Sequence, residues 1–286
     1  MSVRTEEFEV GHIPVYRYTS STAAPDYALI LLPGIGGYGG YYPGFCAMHV
    51  EKGLEIWAMD PPGHGRSALP RGRFTQEAYI EDVVTLAEHI AHTTGLPVLT
   101  LGSSLGSGPA FLALEQSPHL VGGIGMGIAI PAAGWMAEAR AALASEGVAR
   151  LLDVFGNAIQ FNIFRFLDLD KNYGDPERVK KIYEDPNVCW HYDLASWRSY
   201  LTYDPPVPPE KNSKPYLMIV GGADPLFPAE DVKRVFARLG GPTTLDLVEG
   251  APHQVMFDRP DYFSATTDTW ARSQIAAANA AAPTVA

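Results

Sequence analysis

Basic residues are scarce in this chain: 21 Lys and Arg stand against 32 Asp and Glu, a net charge of −11 at pH 7. A nucleic-acid-binding face needs clustered cations to meet phosphates, so this balance argues against nucleic acid as a partner. It also disfavours docking on anionic membranes. The ordinary consequence of the excess acid is solubility. Cysteine is scarcer still. Cys46 and Cys189 form no C-x-x-C and no metal-ligand spacing, so both read as free thiols, with one disulfide as the alternative. No apolar run reaches the length of about 18 residues that a membrane span needs, and none is expected. Residues Met1 to Glu7 lack the apolar core of a signal peptide, so the expected location is cytoplasmic. Gly34-Ile35-Gly36-Gly37 is too short for a dinucleotide loop and lacks G-x-G-x-x-G spacing. No metal-ligand cluster or cofactor motif is visible, so neither a metal nor a cofactor is expected.

The 286 residues, 47% hydrophobic and 19% charged, suffice for one large or two small domains with a substantial core. The N-terminal segment alternates in polarity and predicts a hairpin turning at Gly11-His12. Tyr27 to Leu32 and Leu54 to Met59 are continuous apolar runs, the mark of strands buried on both faces. A helix is expected from Tyr42 to Lys52. Another follows Thr75, which can cap it, and there Ile80, Val83, Val84, Ala87, Ile90 and Ala91 keep a 3.6-residue period. Further strands are expected at Pro97 to Leu101, Val121 to Ile130, Tyr216 to Val220 and Thr243 to Val248, with a last helix from about Asp261 to Ala277. The Ala-rich tail, Ala278 to Ala286, reads as frayed. Strands alternating with helices imply a mainly parallel sheet with helices on both faces.

Between Pro131 and Lys214 the alternation stops, and the stretch reads as helices and loops without strands. Aromatics are dense there, among them Trp135, Phe166, Trp190, Tyr192, Trp197 and Tyr200, and most would pack a core of their own. The proline-rich stretch from Asp204 to Pro209 closes it as a stiff linker. The expected organisation is a core of residues 1–130 and 214–286 with a helical cap, 131–213, inserted over the active site.

Gly102-Ser103-Ser104-Leu105-Gly106 lies between an expected strand and an expected helix. A G-x-S-x-G so placed is the nucleophile-elbow pattern. The turn holds its serine at strained backbone angles, and the positions two before and two after must be small; here both are Gly. The hydroxyl then stands at a strand's carboxyl end and a helix N-terminus, whose free N–H groups and dipole suit a developing anion. A pentapeptide of this kind also arises by chance, so its weight depends on context. The loops at Asp224 and His253 likewise follow strand ends, where ligands bind in such sheets.

Taken together, the Pro33-Gly34 loop, the Asp60-to-Ser67 segment, the Gly102-to-Gly106 elbow, the Gly221-to-Asp224 loop and Ala251-Pro252-His253 resemble the α/β-hydrolase fold. The resemblance runs from about Glu6 to Ile275, with Ser, Asp and His in the chain order of that fold. It implies Ser104 as nucleophile, His253 as general base and Asp224 as the carboxylate that orients it. Ser103 and Ser107 lack glycine at both two-residue spacings. The other place for the acid, after the strand ending at Ile130, continues Pro131-Ala132-Ala133-Gly134 and has no carboxylate. The oxyanion hole would use the backbone N–H groups of Leu105 and Ile35, with Gly36 the alternative to Ile35. Many relatives carry His-Gly at Pro33-Gly34, a departure that leaves a backbone donor in place. His64 would be structural. Trp135 and His191, in the cap, are the expected substrate contacts.

These readings imply a serine hydrolase that cleaves a carboxylic ester of a small to medium, largely apolar molecule through an acyl-enzyme. The alternatives are the same triad used for thioester or lactone hydrolysis, acyl transfer or carbon–carbon bond hydrolysis, or a non-catalytic ligand receptor on this scaffold. A serine at the elbow argues against relatives with an aspartate nucleophile. The partner is a small-molecule ester, and nothing in the sequence sets an oligomeric state.

Overall fold

The computed structural model describes residues 3–165, 167–173 and 175–281. Phe166 and the end of the tail, residues 282–286, lie outside them. Ten strands are described: β1 (Val3–Val10), β2 (Ile13–Ser20), β3 (Tyr27–Leu32), β4 (Leu54–Met59), β5 (Val98–Ser103), β6 (Leu120–Met126), β7 (Gln160–Asn162), β8 (His191–Asp193), β9 (Tyr216–Gly221) and β10 (Thr243–Val248). The helices before β6 are α1 (Pro43–Val50), α2 (Gln76–Thr94) and α3 (Ser107–Leu112). Those between β6 and β9 are α4 (Gly134–Ala144), α5 (Glu146–Phe155), α6 (Leu169–Tyr173), α7 (Pro176–Glu184) and α8 (Leu194–Thr202). After β9 come α9 (Ala229–Phe236), α10 (Val255–Asp258) and α11 (Pro260–Ala281).

Eight strands form one sheet in the order β1-β2-β4-β3-β5-β6-β9-β10. The hairpin β1–β2 and its junction with β4 are antiparallel, and every pairing from β4 to β10 is parallel. This is the α/β-hydrolase architecture. In β3, Ala28, Ile30 and Leu32 pack into one hydrophobic layer and Leu29 and Leu31 into the other. A strand buried on both faces has no polar positions, which is why its sequence reads as a continuous run. Helix α2 begins where Thr75 Oγ1 accepts the Ala78 N–H at 3.1 Å and ends at Gly95, at φ +70°.

Three local expectations are corrected. The strand expected from Val121 to Ile130 covers Leu120–Met126 and stops at Gly127, whose φ of +136° breaks the pleat. Ile128, Ala129 and Ile130 stay buried beyond it, so hydrophobicity could not mark the end. The stretch between β6 and β9 is not all helix and loop, because β7 and β8 pair there as a short antiparallel ribbon with Phe161 opposite Tyr192. Three residues per strand are too few to show alternation. Helix α11 continues to Ala281, past the expected end of order at Ala277. Both cysteines are free and buried, and among the described residues no helix is long and apolar enough to cross a membrane.

Candidate active site

The six parallel strands end at one edge of the sheet, and the loops after β3, β5, β9 and β10 form the site there. Ser104 follows β5 directly and is the one non-glycine at positive φ among the described residues, at +50°. An L-residue held there is strained, and close approach on both sides holds it. A Cβ at Gly102 would stand 2.2 Å from the Gly106 carbonyl oxygen, and one at Gly106 would stand 2.3 Å from the Leu32 carbonyl oxygen. Neither position admits alanine without moving backbone.

His253 Nε2 lies 2.8 Å from Ser104 Oγ, and its Nδ1 lies 2.7 Å from Asp224 Oδ2. A carboxylate oxygen accepts, so Nδ1 carries the hydrogen and Nε2 is left to accept from the serine hydroxyl. The other Asp224 oxygen accepts from the N–H groups of Leu226 at 2.7 Å and Phe227 at 3.1 Å. The carboxylate is therefore oriented as well as buried. Phe227 packs its ring edge against the imidazole. The neighbouring serines do not reach the histidine: Ser107 Oγ donates to the Gly102 carbonyl at 3.1 Å, and Ser103 is buried. The thiols are poor rivals as nucleophiles. Burial pushes Cys189 up to about 11 and Cys46 well above its ordinary value.

The loop after β3 supplies backbone donors beside Ser104, and their partners sort them. Gly34 N–H donates to the Tyr42 hydroxyl at 2.9 Å, Gly36 N–H to the Tyr192 hydroxyl at 2.7 Å, and Gly37 N–H to the Gly34 carbonyl at 2.9 Å. Among the described residues nothing accepts from Ile35 N–H. Leu105 lies in the first turn of the short 3-10 helix Ser104–Gly106, where N–H groups have no preceding helical carbonyl. A free N–H at each of these two places can receive an oxyanion.

A small cavity of about 50 Å³ opens on Ser104. Its lining includes Ile35, Leu105, Ile128, Leu226 and Phe227, joined by Trp135, Met136, Leu167, Trp197 and Tyr200 from the stretch 131–213. Trp135 is half-exposed and ties the two sides together, its indole N–H donating to the Leu226 carbonyl at 3.2 Å. His191 is not brought to the cavity. It is exposed on β8, while its neighbours Tyr192 and Asp193 are buried.

His64 is buried, with Nδ1 2.9 Å from the Pro62 carbonyl and Nε2 2.8 Å from the Tyr192 hydroxyl. Burial pulls it down to about 4, so it is neutral near pH 7. Sequence reasoning missed Tyr192, which lies 128 residues from His64 and had no local signal beyond being one aromatic among many. It also missed one group of metal-capable side chains. Glu88 and His92, four apart on α2, meet His119 with donor atoms within 4.8 Å of one another. His119 precedes β6, so this partly exposed group sits at the opposite edge of the sheet from Ser104.

The sequence model of the family described as serine aminopeptidase, S33 (Hydrolase_4) matches residues 23–260. A monoglyceride lipase of Homo sapiens is 29% identical over 109 residues, 37% of this chain and 36% of that protein. The match thus spans about a third of the human protein's length. Among solved structures, a monoacylglycerol lipase of Paleococcus ferrophilus superposes with a TM-score of 0.71 at 21% identity, covering 96% of this chain and 100% of its own. A thermostable carboxyl esterase of Bacillus coagulans, solved with glycerol, superposes with a TM-score of 0.72 at 20% identity, covering 96% and 99%.

Proposed function

This chain belongs to the serine aminopeptidase S33 family of the α/β-hydrolase fold, and we propose that it uses Ser104 to hydrolyse carboxylic esters of small to medium, largely apolar molecules. The observation that carries this reading is the continuous hydrogen-bonded line from Asp224 through His253 to Ser104 Oγ, at 2.7 and 2.8 Å, opening on an apolar cavity.

Ser104 Oγ adds to the ester carbonyl while His253 Nε2 takes its proton. Asp224 holds the imidazole by Nδ1 and stabilises the imidazolium. The tetrahedral oxyanion accepts from the N–H groups of Ile35 and Leu105, each such donor contributing about 3 kcal/mol to the transition state. Collapse expels the alcohol, protonated by His253, and leaves an acyl-Ser104. Water, deprotonated by the same histidine, releases the acid and restores the serine.

The family's description raises peptide substrates as a second reading. An aminopeptidase must receive a free α-ammonium group, and an acidic side chain is the usual partner for one. Among the described residues that line the cavity none is acidic. The inserted segment 131–213, acting as a cap, supplies half of an apolar wall instead, which suits an acyl or alkyl chain. The human relative's name, monoglyceride lipase, points the same way.

A panel of p-nitrophenyl esters from acetate to decanoate, run beside aminoacyl p-nitroanilides, tests the proposal. It expects turnover of the esters, improving with chain length until the cavity is filled. Turnover of the anilides with none of the esters would overturn it.

A further inference from the structure

Gly36 is held on all sides by the inserted segment. Its N–H donates to the Tyr192 hydroxyl at 2.7 Å, and its carbonyl accepts from the Cys189 N–H at 2.9 Å. Its φ is +76°, and a Cβ there would stand 2.5 Å from Phe164 Cζ. On the other side of Ile35, Gly34 N–H is taken by the Tyr42 hydroxyl at 2.9 Å. The free N–H of Ile35 thus lies between two glycines, each fastened to a buried tyrosine.

The two tyrosines are not equivalent. Tyr42 belongs to the core, next to α1. Tyr192 sits on β8, and its hydroxyl has a second partner in His64 Nε2 at 2.8 Å. The direction of this chain follows from its far end. The Pro62 carbonyl can only accept, so His64 Nδ1 carries the ring hydrogen and Nε2 is bare. Tyr192 must then donate to Nε2, which turns its lone pairs toward Gly36 N–H. β8 is itself pinned to the core. Asp193 accepts from Arg73 Nε at 2.6 Å, and Asp193 N–H donates to the Gly72 carbonyl at 3.2 Å. A Cβ at Gly72 would stand 1.9 Å from the His191 carbonyl oxygen.

We infer that Tyr192 is a positioning residue of the active site: its hydroxyl, oriented by His64, fixes Gly36 and so aims the Ile35 N–H at the place where the oxyanion forms. The inference rests on the ester-hydrolase reading above. It gives the inserted segment a second task beside walling the cavity, since the oxyanion loop is shaped by a residue 156 positions away. It also gives His64 a task, the setting of a hydrogen-bond direction.

The test compares wild type, Tyr192→Phe, His64→Gln and Ser104→Ala on p-nitrophenyl butyrate, with active sites counted by fluorophosphonate titration. The oxyanion contact is made only in the transition state. Tyr192→Phe is therefore expected to lower kcat per active site about tenfold, a part of what losing a whole oxyanion donor costs, with KM nearly unchanged. The Ki of an alkylboronic acid, which forms a tetrahedral anion on serine, should rise by the same factor, and His64→Gln should show the same split. A merely structural loss lowers the count of active sites and leaves that Ki alone. In wild type the Gly36 amide should exchange slowly with solvent although it lies in a loop, and Tyr192→Phe should speed it. Unchanged kcat and Ki per active site in Tyr192→Phe, or a fast-exchanging Gly36 in wild type, overturns the inference. Wild type that leaves all esters intact, or Ser104→Ala that retains turnover, overturns the ester reading instead, and Gly36 exchange then still decides whether the tyrosine holds the loop.

Discussion

Asp224 Oδ2 lies 2.7 Å from His253 Nδ1, while the same carboxylate's other oxygen accepts from two backbone N–H groups. An oriented acceptor fixes the imidazole tautomer. Asp224→Asn keeps the shape and offers an N–H or a weaker acceptor in place of the carboxylate. The expected result is a fall in kcat of about 10⁴, the scale seen when a triad histidine is forced into the wrong tautomer, with KM little changed. Steady-state kinetics at pH 8 checks it.

The cavity wall sets a second prediction. Met136 is buried on α4 and faces the space above Ser104. Met136→Trp should fill part of it. Long esters then lose and short ones do not: kcat/KM for p-nitrophenyl decanoate is expected to fall at least about tenfold, the scale of a few kcal/mol of lost pocket contact. The butyrate should change little. The ratio of the two rates is the readout.

The elbow predicts a stability effect. Gly102→Ala places a methyl where the Gly106 carbonyl oxygen stands. Backbone must move, at a cost of about 3 kcal/mol, the upper end of the usual overpacking range. The thermal midpoint is expected to drop by several degrees, and differential scanning calorimetry measures it.

Acid sensitivity follows from two buried histidines. Burial pulls His49 and His64 each down to about 4 from an ordinary 6.5. Above pH 6.5 both are neutral in either state. As pH falls toward 4 the unfolded chain takes up their protons and the folded one does not, so stability is lost across that window. Asp82, pushed up to about 6 by burial with His12 in part offsetting, acts in the opposite sense. The test is therefore a slope and not an offset: in His49→Gln the unfolding free energy should depend less steeply on pH between 6.5 and 4 than in wild type. An unchanged slope contradicts it.

What the sequence discloses depends on how local the cause is. The constraint on Ser104 comes from Gly102 and Gly106, two residues away, so five letters carry it. Asp224 and His253 are distant in sequence, but each lies just past a strand that hydrophobicity marks, and chain order does the rest. The end of β6 was hidden because Ile128, Ala129 and Ile130 remain buried past it, Ile128 against the cavity, so apolar pattern and strand part company there. Trp135 was legible as an aromatic that reaches the cavity, whereas His191 lies outside the cavity lining, on a strand too short for the sequence to mark. Tyr192 was invisible as a partner of Gly36 and His64. Its role is made entirely by long-range packing, and one hydroxyl among 14 tyrosines carries no sequence mark.

The central claim is that Ser104 Oγ, 2.8 Å from His253 Nε2, is the atom that attacks the ester. The most direct measurement mixes enzyme with a slowly deacylated p-nitrophenyl ester and records nitrophenol release and protein mass together. Wild type should release about one equivalent in a burst, with the acyl mass on the peptide containing Ser104, and Ser104→Ala should show neither while keeping its fold and losing about 10⁶ in kcat. A burst or acyl adduct that survives in Ser104→Ala, or that maps to another residue, would contradict the account.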